Sequence, residues 1–200
     1  LSDETSLARI RGHLSGLHAL IAAAIVALGL FGKSAAETFR YERALVFEGE
    51  YWRLLTGHFV HGSPQHLVLN LLGLVLVTAL FARDYALRGW LLIVGLSIVA
   101  IDIGFVFYEP QLDWYVGYSG VLHGILAAGA IAWWRRGPAS MALALSAVLI
   151  GKLAWEQWQG ALPLSGNLPV VVDAHLYGAV GGAVAASILW ACRQPWLSRP

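Results

Sequence analysis

Gly117-Tyr118-Ser119-Gly120-Val121-Leu122-His123-Gly124 places a hydroxyl between glycines, at the mouth of a run that otherwise reads as membrane-embedded helix. Taken alone, the serine has an ordinary explanation. In transmembrane helices serine bonds back to the backbone, and glycines beside it mark close helix packing. It becomes a nucleophile only if the rest of the chain supplies a base, an oxyanion site and a topology that gathers them.

The surrounding chain is strongly apolar. Of its 200 residues, 58% are hydrophobic and only 12% charged, which is not the balance of a soluble globule. The length suits a single domain spanning 1–200. A net charge of +1 leaves no electrostatic footprint for nucleic acid. Cys192 is the single cysteine and can form no internal disulfide. The nine tryptophans suit aromatic belts at membrane interfaces, and membrane lipids are the expected surroundings.

Six hydrophobic stretches can be drawn: Leu14–Gly32, Pro64–Phe81, Gly89–Phe107, Ser119–Trp134, Pro138–Trp155 and Val170–Ala191. Most approach the ~20 residues that a hydrocarbon core of ~30 Å demands of a helix. The expected fold is therefore all-α, a polytopic bundle of six transmembrane helices. No cleavable signal is expected, because Leu14 to Gly32 is long enough to span and no convincing small-residue cleavage site follows it. The connections are short except for Lys33–Ser63, a polar and aromatic loop too long to be a mere turn.

Arginines set the orientation. Arg9 and Arg11 precede the first stretch, Arg83 and Arg88 separate the second and third, and Arg135 and Arg136 separate the fourth and fifth. Arg193 and Arg199 follow the sixth. The third–fourth loop carries Glu109 and Asp113 instead. By the positive-inside rule both termini and the arginine turns are cytoplasmic. Helices two, four and six then all begin in the outer leaflet. Their first turns carry His66 and Asn70, then Ser119 and His123, then His175. The fourth stretch covers roughly 16 residues, about 24 Å at ~1.5 Å per residue. Ser119 therefore starts below the outer surface, where irregular backbone must be shielded by protein or line a wet cavity.

Polar groups inside a bilayer are functional candidates by default. His175 is the best base candidate. Gly178 and Gly182 form one small-xxx-small stripe, and Gly120 and Gly124 another. If the stripes face each other, Ser119 and His175 come within hydrogen-bond reach, the geometry that activates a serine. His66 and Asn70 stand four apart on one helix face, and each can donate to a developing negative charge. The Ser119 backbone N–H, at a helix start, can add a third donor. His61 lies outside the helix as a loop brace, and His58 and His13 read as interface residues. Asp102 interrupts helix three and can bond across helices or line the cavity. Asp173 faces away from His175 and reads as a pocket-rim residue. Lys152 and Glu156, four apart on helix five, read as partners of each other.

Together these features resemble the rhomboid family of intramembrane serine proteases. Trp52-Arg53 before helix two, His61-x4-His66-x3-Asn70, Gly117-x-Ser119-Gly120 and Ala174-His175-x2-Gly178-x3-Gly182 fall in family order on the expected helices. The resemblance implies that Ser119 is the nucleophile and His175 the base of a dyad. It implies that His66, Asn70 and the Ser119 amide form the oxyanion hole, with Tyr118, Gly117 and Gly120 around the nucleophile. Trp52, Arg53, His61, Gly178 and Gly182 would be structural. Where many rhomboids carry tyrosine, this chain has His123, which can stack on His175 but also titrates near neutrality.

The stretches Ser119-Gly-Val-Leu-His123-Gly and Asp173-Ala-His175-Leu-Tyr-Gly-Ala resemble the rhombosortase branch. That branch implies a bacterial inner membrane and an active site opening to the periplasm. Its substrates are single-pass proteins with a C-terminal tail of Gly-Gly, a transmembrane helix and basic residues. No cofactor or metal is implied. A metal-dependent membrane enzyme using His61, His66, His123 and His175 lacks an H-E-x-x-H helix and a carboxylate co-ligand. A non-catalytic relative would be expected to lose the serine or the histidine, and a transporter to show an inverted repeat.

Overall fold

The computed structural model describes the backbone of residues 2–161 and 170–192, and side chains within those ranges from residue 16 onward. The side chains of Arg9, Arg11 and His13 are not among those described, and Arg193, Arg199 and most of the loop between the fifth and sixth stretches lie outside the described residues. The architecture is helical. The elements are α1 (Ser2–Leu30), α2 (Gly32–Phe39), β1 (Tyr41–Glu42), α3 (Arg43–Phe47), α4 (Trp52–Thr56), α5 (Pro64–Phe81), α6 (Leu87–Phe107), β2 (Trp114–Tyr115), α7 (Ser119–Arg136), α8 (Ala139–Gln159) and α9 (Val172–Ala191).

Local chemistry sets several of these limits. Pro64 opens α5, where its missing N–H is no loss, and the Ser63 hydroxyl accepts the His66 backbone N–H at 3.1 Å. Helix α1 ends at Leu30. Gly32, at φ +54°, takes the left-handed conformation that turns the chain into α2, bent by 111° from the last part of α1.

Among the described residues four helices are long and apolar enough to cross a membrane, α5, α6, α8 and α9, and a fifth span results if the bent pair of α1 and α2 counts as one. The expected six is met only in part, because α7 falls short of that criterion. The reason lies in its position. Helix α7 packs against α5, α6, α8 and α9, so its glycines and alanines face protein rather than lipid, and it ends in Arg135 and Arg136. A helix enclosed by neighbours has no need of the leucine and valine coat that α5 presents outward.

The helix directions follow from the packing of glycines. A Cβ on Gly178 would lie 2.0 Å from the Gly120 carbonyl oxygen, and one on Gly182 2.0 Å from that of Gly124. The two stripes face each other, and α7 and α9 run parallel. Gly73 meets Leu122 and Gly129 meets Phe81, so α5 also runs parallel to α7. Gly104 meets Tyr177 whereas Gly181 meets Leu96, so α6 is antiparallel to α9. The first turns of α5, α7 and α9 therefore gather at one end of the bundle, as expected. At the other end, Arg136 donates to the Asp84 carbonyl and tethers two arginine-bearing turns together.

The long first loop is built rather than loose. Its strand β1 pairs antiparallel with β2, Tyr41 opposite Tyr115 and Glu42 opposite Trp114. Arg43 donates to the Phe105 carbonyl at 2.9 Å and the Val106 carbonyl at 3.2 Å, supplying donors to the otherwise unpaired end of α6. Arg53 is buried, bonded to the Glu50 carboxylate at 2.5 Å and the Arg40 carbonyl at 2.9 Å, while Trp52 beside it is exposed. His58, expected at an interface, is instead fully enclosed. Its Nε2 stands 3.2 Å from Asp102 Oδ1, so the acid of α6 bonds to this loop rather than across helices.

Candidate active site

The residues before α7 hold Ser119 in place. Gly117 has φ +122°, a conformation that side chains rarely adopt, and a Cβ there would lie 2.6 Å from the His66 ring. Its N–H donates to the Gly57 carbonyl at 3.0 Å, and the Gly117 carbonyl accepts from the Tyr115 hydroxyl at 2.7 Å. Tyr118 is fully buried, 5.7 Å from the Phe59 ring. Gly120 follows, its α-carbon pressed toward the Ala174 carbonyl. The serine thus enters its helix from a loop with little freedom to move.

The close approach of α7 and α9 brings His175 Nε2 to 3.0 Å from Ser119 Oγ. This is hydrogen-bond reach, across 56 residues of sequence. The His123 ring stacks on that of His175 with centroids 4.1 Å apart and planes at 21°, as the sequence allows. His123 Nδ1 is 2.7 Å from the Ser119 carbonyl oxygen. A carbonyl only accepts, so Nδ1 carries the proton and Nε2 presents a lone pair.

Sequence reasoning missed the other face of His175. Lys152 and Glu156 do pair, Nζ to Oε2 at 2.6 Å. But Glu156 Oε2 is also 2.8 Å from His175 Nδ1, and Lys152 Nζ lies 2.9 Å from that same nitrogen and 2.6 Å from His123 Nε2. Glu156 is almost completely buried. One signal pointed there. Helix α8 runs opposite to α7, so its last turns lie at the depth of Ser119, and ionisable groups at that depth are functional candidates. Asp102 does not reach His175 and is occupied with His58.

The ligand atoms of His123, Glu156 and His175 lie within 4.8 Å of one another, close enough to hold a metal ion. The Lys152 ammonium stands within hydrogen-bond distance of all three, and is the positive charge they face. The four histidines weighed as a metal set divide into two pairs. His123 stacks on His175, and His61 meets His66 edge to face at 5.0 Å.

His66 and Asn70 share the first turns of α5. Asn70 is buried, and its Nδ2 donates to the His66 carbonyl at 2.9 Å, which leaves its second N–H for another acceptor. His66, against Gly117, borders the Ser119 loop. Asp173 lies partly exposed in the first turn of α9, where a carboxylate complements the helix dipole. Tyr177, one helical turn below, donates to Glu109 at 2.8 Å.

His61 is buried, its ring edge to face with that of His66. Burial pushes its imidazole down to about 4 from the ordinary 6.5, and His66 beside it adds to the shift. An unfolded chain therefore binds this proton from pH 6.5 downward, whereas the folded one holds it off until about pH 4. The contribution to stability is complete above pH 7 and is lost on acidification through that window, by up to about 3 kcal/mol. Melting temperatures of the detergent-solubilised protein should fall between pH 6.5 and 4, and His61→Phe should flatten that fall.

The rhomboid domain family model matches residues 48–192, a range that takes in Ser119, His175 and the residues bonded to them. No curated protein matches the chain.

Proposed function

The chain belongs to the rhomboid family of intramembrane serine proteases, and on that premise we propose that it is an active endopeptidase working through Ser119 and His175. The observation that carries this reading is the 3.0 Å contact between His175 Nε2 and Ser119 Oγ inside a multi-pass helical bundle. Ser119 Oγ bonds to the scissile carbonyl carbon as its proton passes to His175 Nε2, and the carbonyl electron pair moves onto oxygen. His66, Asn70 and the Ser119 N–H then face the oxyanion. Collapse of the tetrahedral species breaks the C–N bond, and His175 returns the proton to the departing amine. Water, activated by the same imidazole, releases the acyl group.

The substrate we infer is a single-pass membrane protein with a C-terminal tail of Gly-Gly, a transmembrane helix and basic residues, as in the rhombosortase branch. Support comes from the sequences around Ser119 and His175 and from His123 stacked on the base. Glycines beside the scissile bond suit the chemistry, because a helix must unwind to expose its carbonyl and glycine is a poor helix former. In this reading the site opens to the periplasmic side of a bacterial inner membrane, with both termini cytoplasmic.

Purified protein treated with a fluorophosphonate should carry the adduct on Ser119, and His175→Ala should carry none. Adduct formation elsewhere, with cleavage surviving Ser119→Ala, would overturn the protease reading. A tethered Gly-Gly substrate should be cut at least about tenfold faster than one with both glycines replaced by leucine, since helix propensity and crowding at the site both oppose the latter. Equal rates would remove the branch assignment and leave the protease reading standing.

A further inference from the structure

We propose that Glu156 is a positioning residue that sets the protonation of His175, with Lys152 and His123 completing a hydrogen-bonded ring that begins and ends on Ser119. The inference rests on the Ser119–His175 reading above and adds to it groups from a helix that the sequence motifs leave out.

His175 Nδ1 has two neighbours with opposite demands. Glu156 Oε2, at 2.8 Å, can only accept and requires a proton on Nδ1. The Lys152 ammonium, at 2.9 Å, can only donate and requires a lone pair there. Only the first arrangement leaves a lone pair on Nε2 facing Ser119 Oγ, which attack requires. The competition is decided by what else Lys152 touches. Its two other acceptors, Glu156 Oε2 and His123 Nε2, are both at 2.6 Å, closer than Nδ1. The His123 lone pair is available because that ring's proton is committed to the Ser119 carbonyl.

The ring can now be followed bond by bond. The Ser119 hydroxyl donates to His175 Nε2, and His175 Nδ1–H donates to Glu156. Lys152 donates to Glu156 and to His123 Nε2, and His123 Nδ1–H donates to the Ser119 carbonyl. Every polar hydrogen of the two imidazoles has an acceptor. The other titratable groups acting on these rings are Asp173 on α9 and His66 on α5.

The carboxylate matters most during attack. As Oγ bonds to carbon, the proton arrives on Nε2 and His175 becomes an imidazolium. An ammonium 2.9 Å away opposes that charge, and Glu156, touching both, offsets it. Glutamine at 156 would keep the shape, remove the charge and present an amide hydrogen that favours the lone pair on Nδ1. The base would then point its proton at the serine.

The test uses the whole chain in lipid nanodiscs, with kcat and KM for the tethered substrate, Ser119 labelling by a fluorophosphonate, thermal melting, and ¹⁵N NMR of the histidine nitrogens. Glu156→Gln should lower kcat by about 10²-fold or more at unchanged KM, in the direction of the ~10⁴ loss known when a serine protease base takes the wrong tautomer. The His175 proton should move from Nδ1 to Nε2, and Glu156→Asp should recover part of the rate. The double variant Lys152→Met with Glu156→Gln leaves no unpaired buried charge, and it carries the test if the single variant does not fold. It should stay at least about tenfold below the unsubstituted protein in kcat, because the donor-free Nε2 is still not enforced. Full kcat in Glu156→Gln or in the double variant, or a His175 proton that does not move, overturns the proposal while Ser119 labelling keeps the protease reading intact. Failure of the unsubstituted protein to label at Ser119 would instead overturn that reading.

Discussion

Replacing Ser119 with alanine is expected to lower substrate cleavage by a factor on the order of 10⁶, whereas Asn70→Ala should cost only about 10²–10³. The asymmetry follows from what each group does. Ser119 Oγ is the atom that bonds to carbon in the proposed reaction, and the described residues place no second hydroxyl within reach of His175 Nε2. Asn70 supplies one of several donors to the oxyanion, so His66 and the Ser119 amide carry on without it. His175→Ala should fall with Ser119→Ala, because groups acting as a unit do not lose activity additively. Steady-state cleavage of the tethered substrate measures all three. An Asn70→Ala loss as large as that of Ser119→Ala would mean that Asn70 holds the fold rather than the transition state, and thermal melting would reveal it.

The second large effect is structural. Gly178→Ala is expected to destabilise the bundle by about 1–3 kcal/mol or more and to lower cleavage by about 10²-fold. The new Cβ would lie 2.0 Å from the Gly120 carbonyl oxygen. That neighbour is backbone in the first turn of α7 and cannot rotate aside, so α9 must move away from α7. Ser119 and His175 sit on those two helices at 3.0 Å, and displacement on the order of an ångström breaks their bond. Gly151→Ala is the matched control. It lies on α8 with nothing within 4 Å of its Cβ position, and should leave cleavage nearly unchanged and stability equal or higher by up to about 1 kcal/mol. Melting temperature and cleavage rate of the two variants, side by side, check the contrast.

The same contact explains how much of the site was legible. Gly120, Gly124, Gly178 and Gly182 repeat at a spacing that only a helix face gives meaning to, and two such stripes imply helices in close contact. From that, the Ser119–His175 approach could be read from sequence. The shared depth of His66, Asn70, Ser119 and His175 could be read too, because alternating spans must place every second helix start in one leaflet. Helix α7 falls below the hydropathy of the other spans because its glycines and alanines face helices rather than lipid. His58 and Asp102 looked like unrelated polar groups. They meet at 3.2 Å because β1 and β2 fold the first loop back onto α6.

By itself the sequence determined an all-helical membrane protein, the parallel course of α5, α7 and α9, and the serine, histidine and asparagine that converge at their starts. Those conclusions rest on periodicity, which is local, and on alternation across a bilayer, which is topological. Tertiary structure alone decided which ionisable groups stand behind His175. Lys152 and Glu156 are four apart on one helix and satisfy each other there, so sequence reads a closed pair. The rotation of α8 about its own axis turns that pair toward His123 and His175 rather than toward lipid, and rotation is set by packing against α7 and α9. No spacing along a single helix encodes it.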